Sequence, residues 1–347
     1  MIFLHTADWH LDASMEAGLS QAKASERRRE LYLAFEKMAE DAEEMGAKAI
    51  LIAGDLFDGA NPSPSAVSRV SAVMEAHPNI DFILLCGNHD STARVHLPTI
   101  KNLKTFEEKG VFRYENVAVY GAEDPSVSPA ELGILAEDCN IVMLHGETRA
   151  SGSEQIALTR WENRGVDYLA LGHYHRYESH ALDGRGKYVY AGCPAGRGFD
   201  ECGEKGYVKL TVEDGKVREE FIPLAGRRYH TVALDISAMG SAYEIETATL
   251  DATRDIPKQD AVKVELTGEC IPSLLPDTKM LSTRLSSRFW LGKVKDCTTL
   301  KADIRETDKS LFGVFARLVG EKIEDEAMRQ RVLTCGLKAL RGEETAE

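Results

Sequence analysis

No stretch of this sequence approaches the roughly 20 consecutive apolar residues that a membrane-spanning helix requires. The amino terminus, Met1-Ile2-Phe3-Leu4-His5-Thr6-Ala7-Asp8, lacks the basic opening of a secretory signal and meets a charge by position 8. Both absences point to a cytoplasmic protein without a membrane partner. Cys-x-x-Cys pairs are missing too. The seven cysteines, at 86, 139, 193, 202, 270, 297 and 335, are odd in number and scattered, which fits a reduced chain that uses them as small core residues. There is no internal repeat and no low-complexity tract. A basic excess is also lacking: the formal charge is -14, which argues at first against a nucleic-acid partner. The deficit is uneven. Residues 1–225 carry 23 Lys+Arg against 36 Asp+Glu, a net of -13, whereas residues 226–347 carry 19 against 20, a net of -1. A solubilising acidic surface accounts for most of that excess; bound cations would offset the rest.

What is present is an ordinary globular composition, 43% hydrophobic and 28% charged over 347 residues, enough for one large domain and a smaller one. Residues 2–7 read as a strand that stops at Asp8-Trp9-His10. Leu31, Phe35, Met38, Ala42 and Met45 recur at helical spacing, Gly46 suits a C-cap, and a buried strand over 48–53 follows. Strand, helix, strand favours an α/β fold with parallel pairing. A second helix starts at Asn61-Pro62-Ser63-Pro64, with Val67, Val70, Val73 and Met74 as its apolar face. The run 80–86 is strand-like, and a third helix is expected over 97–109, closed by Gly110. Further strands are expected over 117–121, 141–144 and 168–171, then 187–191, 207–212 and 217–223, with Asp214-Gly215 as a hairpin signal. A boundary near Gly226-Arg227-Arg228 separates residues 1–225 from an alternating strand and helix region over 226–300. Two helices follow within 301–347, and the tail from 342 is expected to fray.

Five strand ends carry residues suited to metal: Asp8-x-His10, Asp55, Asn88-His89, His145 and His173-x-His175. Ligands of open α/β sheets sit beyond the carboxyl ends of strands. Alone, Gly54-Asp55-x-x-Asp58 is compatible with a plain turn and an N-cap aspartate. Five of the ten histidines at such ends are hard to assign to packing. Carboxylate and amide oxygens mixed with imidazoles suit Mn²⁺, Fe²⁺ or Zn²⁺ and not Ca²⁺. Seven ligand residues overprovide one ion and suit two, and two ions about 3.5–4 Å apart can hold a hydroxide for in-line displacement at phosphorus.

Taken in order, Asp8-x-His10, Gly54-Asp55-x-x-Asp58, Gly87-Asn88-His89-Asp90, His145 and Gly172-His173-x-His175 resemble the five-part signature of the calcineurin-like metallophosphoesterases. The fillings His5-Thr6-Ala7-Asp8-Trp9-His10-Leu11, Ala53-Gly54-Asp55-Leu56-Phe57-Asp58, Gly87-Asn88-His89-Asp90-Ser91 and Tyr190-Ala191-Gly192-Cys193-Pro194 leading to Phe199 are similar to the SbcD-type DNA repair exonucleases. The resemblance covers residues 1–225 well; over the remainder it is weaker and nearest to a shorter YhaO-like subgroup. It implies a two-sheet β-sandwich flanked by helices, with a smaller α+β C-terminal capping domain. It implies Asp8, His10, Asp55 and His175 on one ion, and Asp55, Asn88, His145 and His173 on the other, with manganese as the first choice of metal. It implies His89 as the catalytic histidine, donating to the phosphate or the leaving oxygen, and Asp58 as the residue that orients it.

Three readings follow: a nuclease or phosphodiesterase acting on DNA, a phosphodiesterase or phosphatase for small nucleotides or proteins, and a non-catalytic regulatory subunit, which the full ligand set disfavours. Arg227, Arg228, Arg284, Arg288, Lys293 and Lys295, with Phe289 and Trp290, are candidates for a DNA surface, a merely solvated face being the alternative. The apolar positions of the terminal helices fit folding back on the cap; the family implies instead an SMC-like ATPase partner of SbcC type bound through them, and homodimers pairing through the segments 63–77 and 97–109.

Overall fold

The computed structural model describes residues 1–15, 18–149, 152, 154–270, 274–300 and 311–340. The expected fraying of the tail from 342 falls outside them. By its own contacts the chain divides into two units, Met1–Arg228 and Tyr229–Glu347.

The first unit runs β1 (Ile2–Thr6), α1 (Gln21–Glu44), β2 (Ala49–Ala53), α2 (Pro64–Ala76), β3 (Asp81–Leu85), α3 (Ala93–His96), β4 (Leu103–Thr105), β5 (Lys109–Tyr114), β6 (Val117–Ala122), α4 (Pro129–Leu132), β7 (Cys139–His145), β8 (Tyr168–Gly172), β9 (Glu178–Ala181), β10 (Lys187–Tyr190), β11 (Gly206–Glu213) and β12 (Lys216–Pro223). The strands form two six-stranded sheets, ordered β12-β11-β1-β2-β3-β4 and β5-β6-β7-β8-β10-β9. Parallel pairing runs through β1-β2-β3-β4 in one and β6-β7-β8-β10 in the other, and β11, β12, β5 and β9 are added antiparallel.

The period of two along each strand explains the layering. Phe3, Ala49, Leu51, Ala53, Ile83 and Leu85 face Val119, Ile141, Met143, Ala170 and Val189 of the other sheet, forming the core between the layers. The alternate residues Leu4, Ile50, Ile52, Phe82 and Leu84 face outward onto Leu31, Phe35, Met38 and Ala42 of α1 and Val70 and Met74 of α2. Tyr120, Val142, Leu144, Leu169 and Leu171 form a third apolar layer with Trp161 outside the second sheet. Strands covered on both faces read as unbroken apolar runs. Each such fully buried aliphatic or aromatic side chain contributes about 1.5–3 kcal/mol relative to exposure. Ser20 caps α1 through Lys23 N (3.5 Å), and Ser63 caps α2 through Ala66 N (3.2 Å), with Pro64 as the first helical residue.

The expected helix over 97–109 does not form. Helix is confined to the single turn of α3, and Leu103 and Thr105 pair instead with Phe82 and Leu84 of β3. Pro98 disfavours helix at its predecessor. The Asn102 amide then gathers the carbonyls of Met74, His77 and Ile80 (2.9, 3.0 and 2.8 Å), tying the segment to the end of α2. Gly110 lies inside β5, opposite Gly121.

The second unit runs β13 (Tyr229–Asp235), α5 (Ala242–Ala252), β14 (Ala261–Thr267), β15 (Glu269–Cys270), α6 (Thr278–Arg288), β16 (Leu291–Asp296), β17 (Thr299–Leu300), α7 (Leu311–Lys322) and α8 (Glu326–Leu340). β13-β14-β16 form a parallel sheet with Val262, Val264 and Leu266 packed on Ile245, Leu281 and Leu285. Phe289, offered above as a DNA-facing aromatic, is 4% exposed and belongs to this core. Arg284 pairs with Glu246, and Arg288 donates to the carbonyls of Leu250 and Arg254. Arg227 belongs to the first unit, where it pairs with Glu26 and Glu30 of α1. Each of these arginines has a local acceptor, which residue type alone did not reveal, and Arg284 keeps a largely exposed side chain. Ala316 and Val319 of α7 pack on Leu333 of α8, with Leu275 against them, while Leu311, Val314 and Leu318 stay exposed. Among the described residues no helix is long and apolar enough to cross a membrane.

Candidate metal centre

The carboxyl ends of β1, β2 and β3 from one sheet meet those of β7 and β8 from the other, and the loops that leave them are laced together by backbone bonds. Asp8 N donates to Gly54 O (3.1 Å), His10 N to Asp55 O (2.9 Å) and Leu11 N to Leu56 O (2.9 Å), so the first loop lies along the second. The buried Asp90 carboxylate accepts from Gly87 N (2.7 Å) and Phe57 N (3.1 Å), stapling the third loop to the second. His173 N donates to both oxygens of Asp8 (3.0 and 3.1 Å), which joins the two sheets.

The backbone is bent hard to achieve this. Asp8, His10, Asp55 and His173 all have positive φ, at 53°, 44°, 53° and 107°, a region that costs of order 1–3 kcal/mol per non-glycine residue and clusters at functional sites. Glycine is required where the loops touch: Gly54 has φ 92° and a Cβ there would run into the His145 ring, and a Cβ on Gly87 would strike Asp55.

Every side chain named from the sequence lies at this confluence. His10 Nε2 faces His175 Nε2 at 3.2 Å and stands 3.6 Å from Asp55 Oδ2, and atoms of Asp8, His10 and His175 lie within 4.8 Å of one another. A second group joins Asp8, Asp55 and His145, with His145 Nε2 at 3.4 Å from Asp55 Oδ2 and 2.9 Å from Asn88 Oδ1. Asp8, His10, Asp55 and His145 are buried, His173 and His175 half-buried, and Asn88 and His89 exposed. The His173 ring lies 5.5 Å from that of His145 and joins neither group. The His89 ring stands edge-on to His10, with centroids 4.8 Å apart, and its backbone N–H donates to Asp55 Oδ1 (3.0 Å). Asp58, expected to orient His89, lies 3.1 Å from His10 Nδ1 and accepts from Arg197 Nη1 (3.1 Å), although one of its oxygens remains within 4.8 Å of a His89 nitrogen.

The donor set itself tests for a cation. The Ala53 carbonyl accepts from His145 Nδ1 (2.9 Å), so that nitrogen carries the hydrogen, and Nε2 then turns a lone pair on two oxygens. Likewise, Glu201 accepts from His175 Nδ1 (2.6 Å), which leaves Nε2 of the neutral ring as an acceptor facing His10 Nε2. At His145 an acceptor pointed at acceptors needs positive charge between them. In the bare protein protons supply part of it: burial opposes charge on His145, but Asp55 and Asp8 overcome this and raise it to about 9. Burial likewise opposes ionisation of Asp55, and His145 and His10 hold it down to about 2. Divalent ions of the imidazole- and carboxylate-binding kind fit the same positions.

Sequence reasoning passed over two participants. Glu201, 7% exposed, binds His175, and Arg197 spans Glu201 and Asp58. Both follow β10 in the loop noted only for its Gly192-Cys193-Pro194 filling. Beside His175 opens a cleft of about 880 Å³ lined in part by Arg149, Tyr174, Arg176, Tyr177 and Phe221 and by the carboxylates of Glu178, Asp200 and Glu204.

Comparison with known proteins places these features in context. The family model described as calcineurin-like phosphoesterase matches residues 1–177. The DNA double-strand break repair protein Mre11 of Methanosarcina acetivorans is 26% identical over 357 residues, covering 92% of this chain and 54% of that protein. Its namesake from Methanosarcina mazei is 25% identical over 350 residues, with the same shares. The chain thus spans about half the length of the curated relatives it matches. Among solved structures, TT1561 of Thermus thermophilus is similar with a TM-score of 0.40 at 15% identity, over 63% of this chain and 98% of that one. A dimetal phosphatase from Danio rerio gives 0.42 at 10%, over 65% and 99%.

Proposed function

Because the chain belongs to the calcineurin-like phosphoesterase family, a family of metal-dependent phosphoester hydrolases, we propose that it is a two-metal phosphodiesterase that cleaves DNA. The observation that carries this reading is the convergence of ring nitrogens of His10, His175 and His145 on the carboxylates of Asp8 and Asp55, with ligand atoms of Asp8, His10 and His175, and of Asp8, Asp55 and His145, within 4.8 Å of one another. In this reading Asp8, His10, Asp55 and His175 hold one ion, and Asp55, Asn88, His145 and His173 hold the other, with manganese the first choice and iron or zinc next. Such ions, when bound, supply Lewis acidity and make water nucleophilic at neutral pH.

The remaining work falls to the protein. Asp55 lies between both groups and keeps them at one spacing. His89, exposed at the rim, holds a proton for the departing oxygen, a role that requires it to reach the substrate and not to ligate. Asp58 holds His10, and through Arg197 the wall of the pocket.

Support for DNA as substrate comes from the curated relatives, named for double-strand break repair, and from the cleft beside His175. Its arginines and the tyrosines at 174 and 177 suit a backbone and the faces of unpaired bases. We further propose that the second unit is a capping domain that assists DNA binding and that the exposed Leu311, Val314 and Leu318 of α7 receive an SMC-like ATPase of SbcC type. α2 would form a homodimer contact, and the protein would act in the cytoplasm.

A matrix of Mn²⁺, Fe²⁺, Zn²⁺ and Mg²⁺ against DNA, cyclic nucleotides and a phosphomonoester tests the reading. The expected result is Mn²⁺-dependent cleavage of DNA, with DNA competing against a chromogenic phosphodiester at low salt. Turnover of the small ester that DNA leaves unchanged would sink the nucleic-acid reading.

A further inference from the structure

The two groups of ligands are not supported alike. His175 Nδ1 donates to Glu201 Oε1 (2.6 Å) and His10 Nδ1 lies 3.1 Å from Asp58 Oδ1, so both imidazoles of the Asp8–His10–His175 group have a carboxylate behind them. One guanidinium joins the two carboxylates: Arg197 Nη2 donates to Glu201 Oε1 (3.1 Å) and Nη1 to Asp58 Oδ1 (3.1 Å), while the backbone N of Arg197 donates to Glu201 Oε2 (2.7 Å). Lys205 Nζ adds a bond to the His175 carbonyl (2.8 Å). The Asp55–Asn88–His145 group has no such brace. His145 is backed by the neutral carbonyl of Ala53, and among the described residues the His173 ring accepts or donates no hydrogen bond.

We propose that Arg197 and Glu201 are positioning residues that make the Asp8–His10–His175 site the tighter of two unequal metal sites. A carboxylate behind an imidazole fixes its tautomer and ring direction and raises its basicity, and loss of such a partner lowers metal affinity about 10–100-fold. A carbonyl does the first of these more weakly and adds no charge. Arg197 binds both carboxylates at once, so the groups standing behind the two imidazoles are held in place by one guanidinium. The fork geometry matters, because a lysine offers a point charge and cannot span two carboxylates in one plane.

This inference rests on the metal reading given above, and one titration separates the two. The full chain, stripped of metal, is titrated with Mn²⁺ alone while free Mn²⁺ is followed by electron paramagnetic resonance. The parent is expected to bind two ions in resolvable steps. Glu201→Gln, nearly isosteric, should weaken the first step about 10–100-fold and leave the second within about threefold. Arg197→Lys should weaken the same step, and Asp58→Asn, on the exposed arm of the brace, should do so independently of any folding defect at Glu201. If the parent takes up no Mn²⁺, the metal reading itself falls. If it binds two ions but the folded variants keep both constants, or lose both together, the unequal brace is wrong.

Discussion

His5 offers a direct measure of how dry the space between the sheets is. It lies on β1, fully buried, with Nδ1 2.9 Å from the Tyr168 hydroxyl and its ring edge-on to that tyrosine at 5.6 Å. Burial pushes the imidazole down to about 3 from its ordinary 6.5. The folded protein therefore stays unprotonated at His5 where the unfolded chain takes up a proton. Stability is complete above the unfolded value and is lost as pH falls from 6.5 toward 3. At 1.36 kcal/mol per pH unit, the loss reaches about 2 kcal/mol at pH 5. The assay is urea unfolding of the metal-free protein between pH 7.5 and 5, for the parent and for His5→Gln. A Trp290→Phe background leaves the buried Trp9 and Trp161 of the first unit as the fluorescent reporters. Titration of the site carboxylates and histidines is common to both proteins and cancels in the difference. The parent should lose about 2 kcal/mol more than the variant over this range. Parallel pH dependences would show that His5 is solvated or protonated in the folded state, contrary to its place between the layers.

Three further outcomes follow from the site. His89→Ala should retain metal by elemental analysis yet lose about 10²–10⁴-fold in turnover, the range of a positioned proton donor, whereas Asp55→Ala should lose metal as well. Asp90→Ala leaves two buried backbone N–H groups unpaired and should cost about 2–4 kcal/mol in chemical denaturation, together with a lower metal stoichiometry because the loops carrying Asp55 and Asn88 part. Gly54→Ala meets both a positive φ and the His145 ring. It should destabilise by more than about 1 kcal/mol, the scale of backbone incompatibility alone, and a thermal melt matching the parent would contradict the close approach of the two loops.

Much of this was legible because chemistry and topology coincide. A strand buried on both faces announces itself as an apolar run, and Asp8, Asp55, Asn88, His145 and His173 each stand within three residues of the end of such a run. The segment after α3 was misjudged for a physical reason. Leu97, Ile100, Leu103 and Phe106 fall at helical spacing, but Asn102 spends its amide on three carbonyls of a neighbouring turn and an edge pairing with β3 decides the backbone. Propensity gives way to tertiary contact there. Glu201 and Arg197 were illegible because their meaning depends on a contact with His175, 26 and 22 residues earlier in the chain, and no spacing rule links them. Asp58 was placed near His89 by resemblance, and an oxygen of it lies within 4.8 Å of a His89 nitrogen; its contacts with His10 and Arg197 were what the sequence did not show.

The bond from His173 N to the Asp8 carboxylate crosses from one sheet to the other. The pocket therefore has no half that exists by itself: either layer, folded alone, would present an incomplete set of teeth. Metal uptake during refolding should consequently lag the appearance of secondary structure and arrive only with the docking of the layers, so the ion doubles as a witness that assembly of this unit has finished.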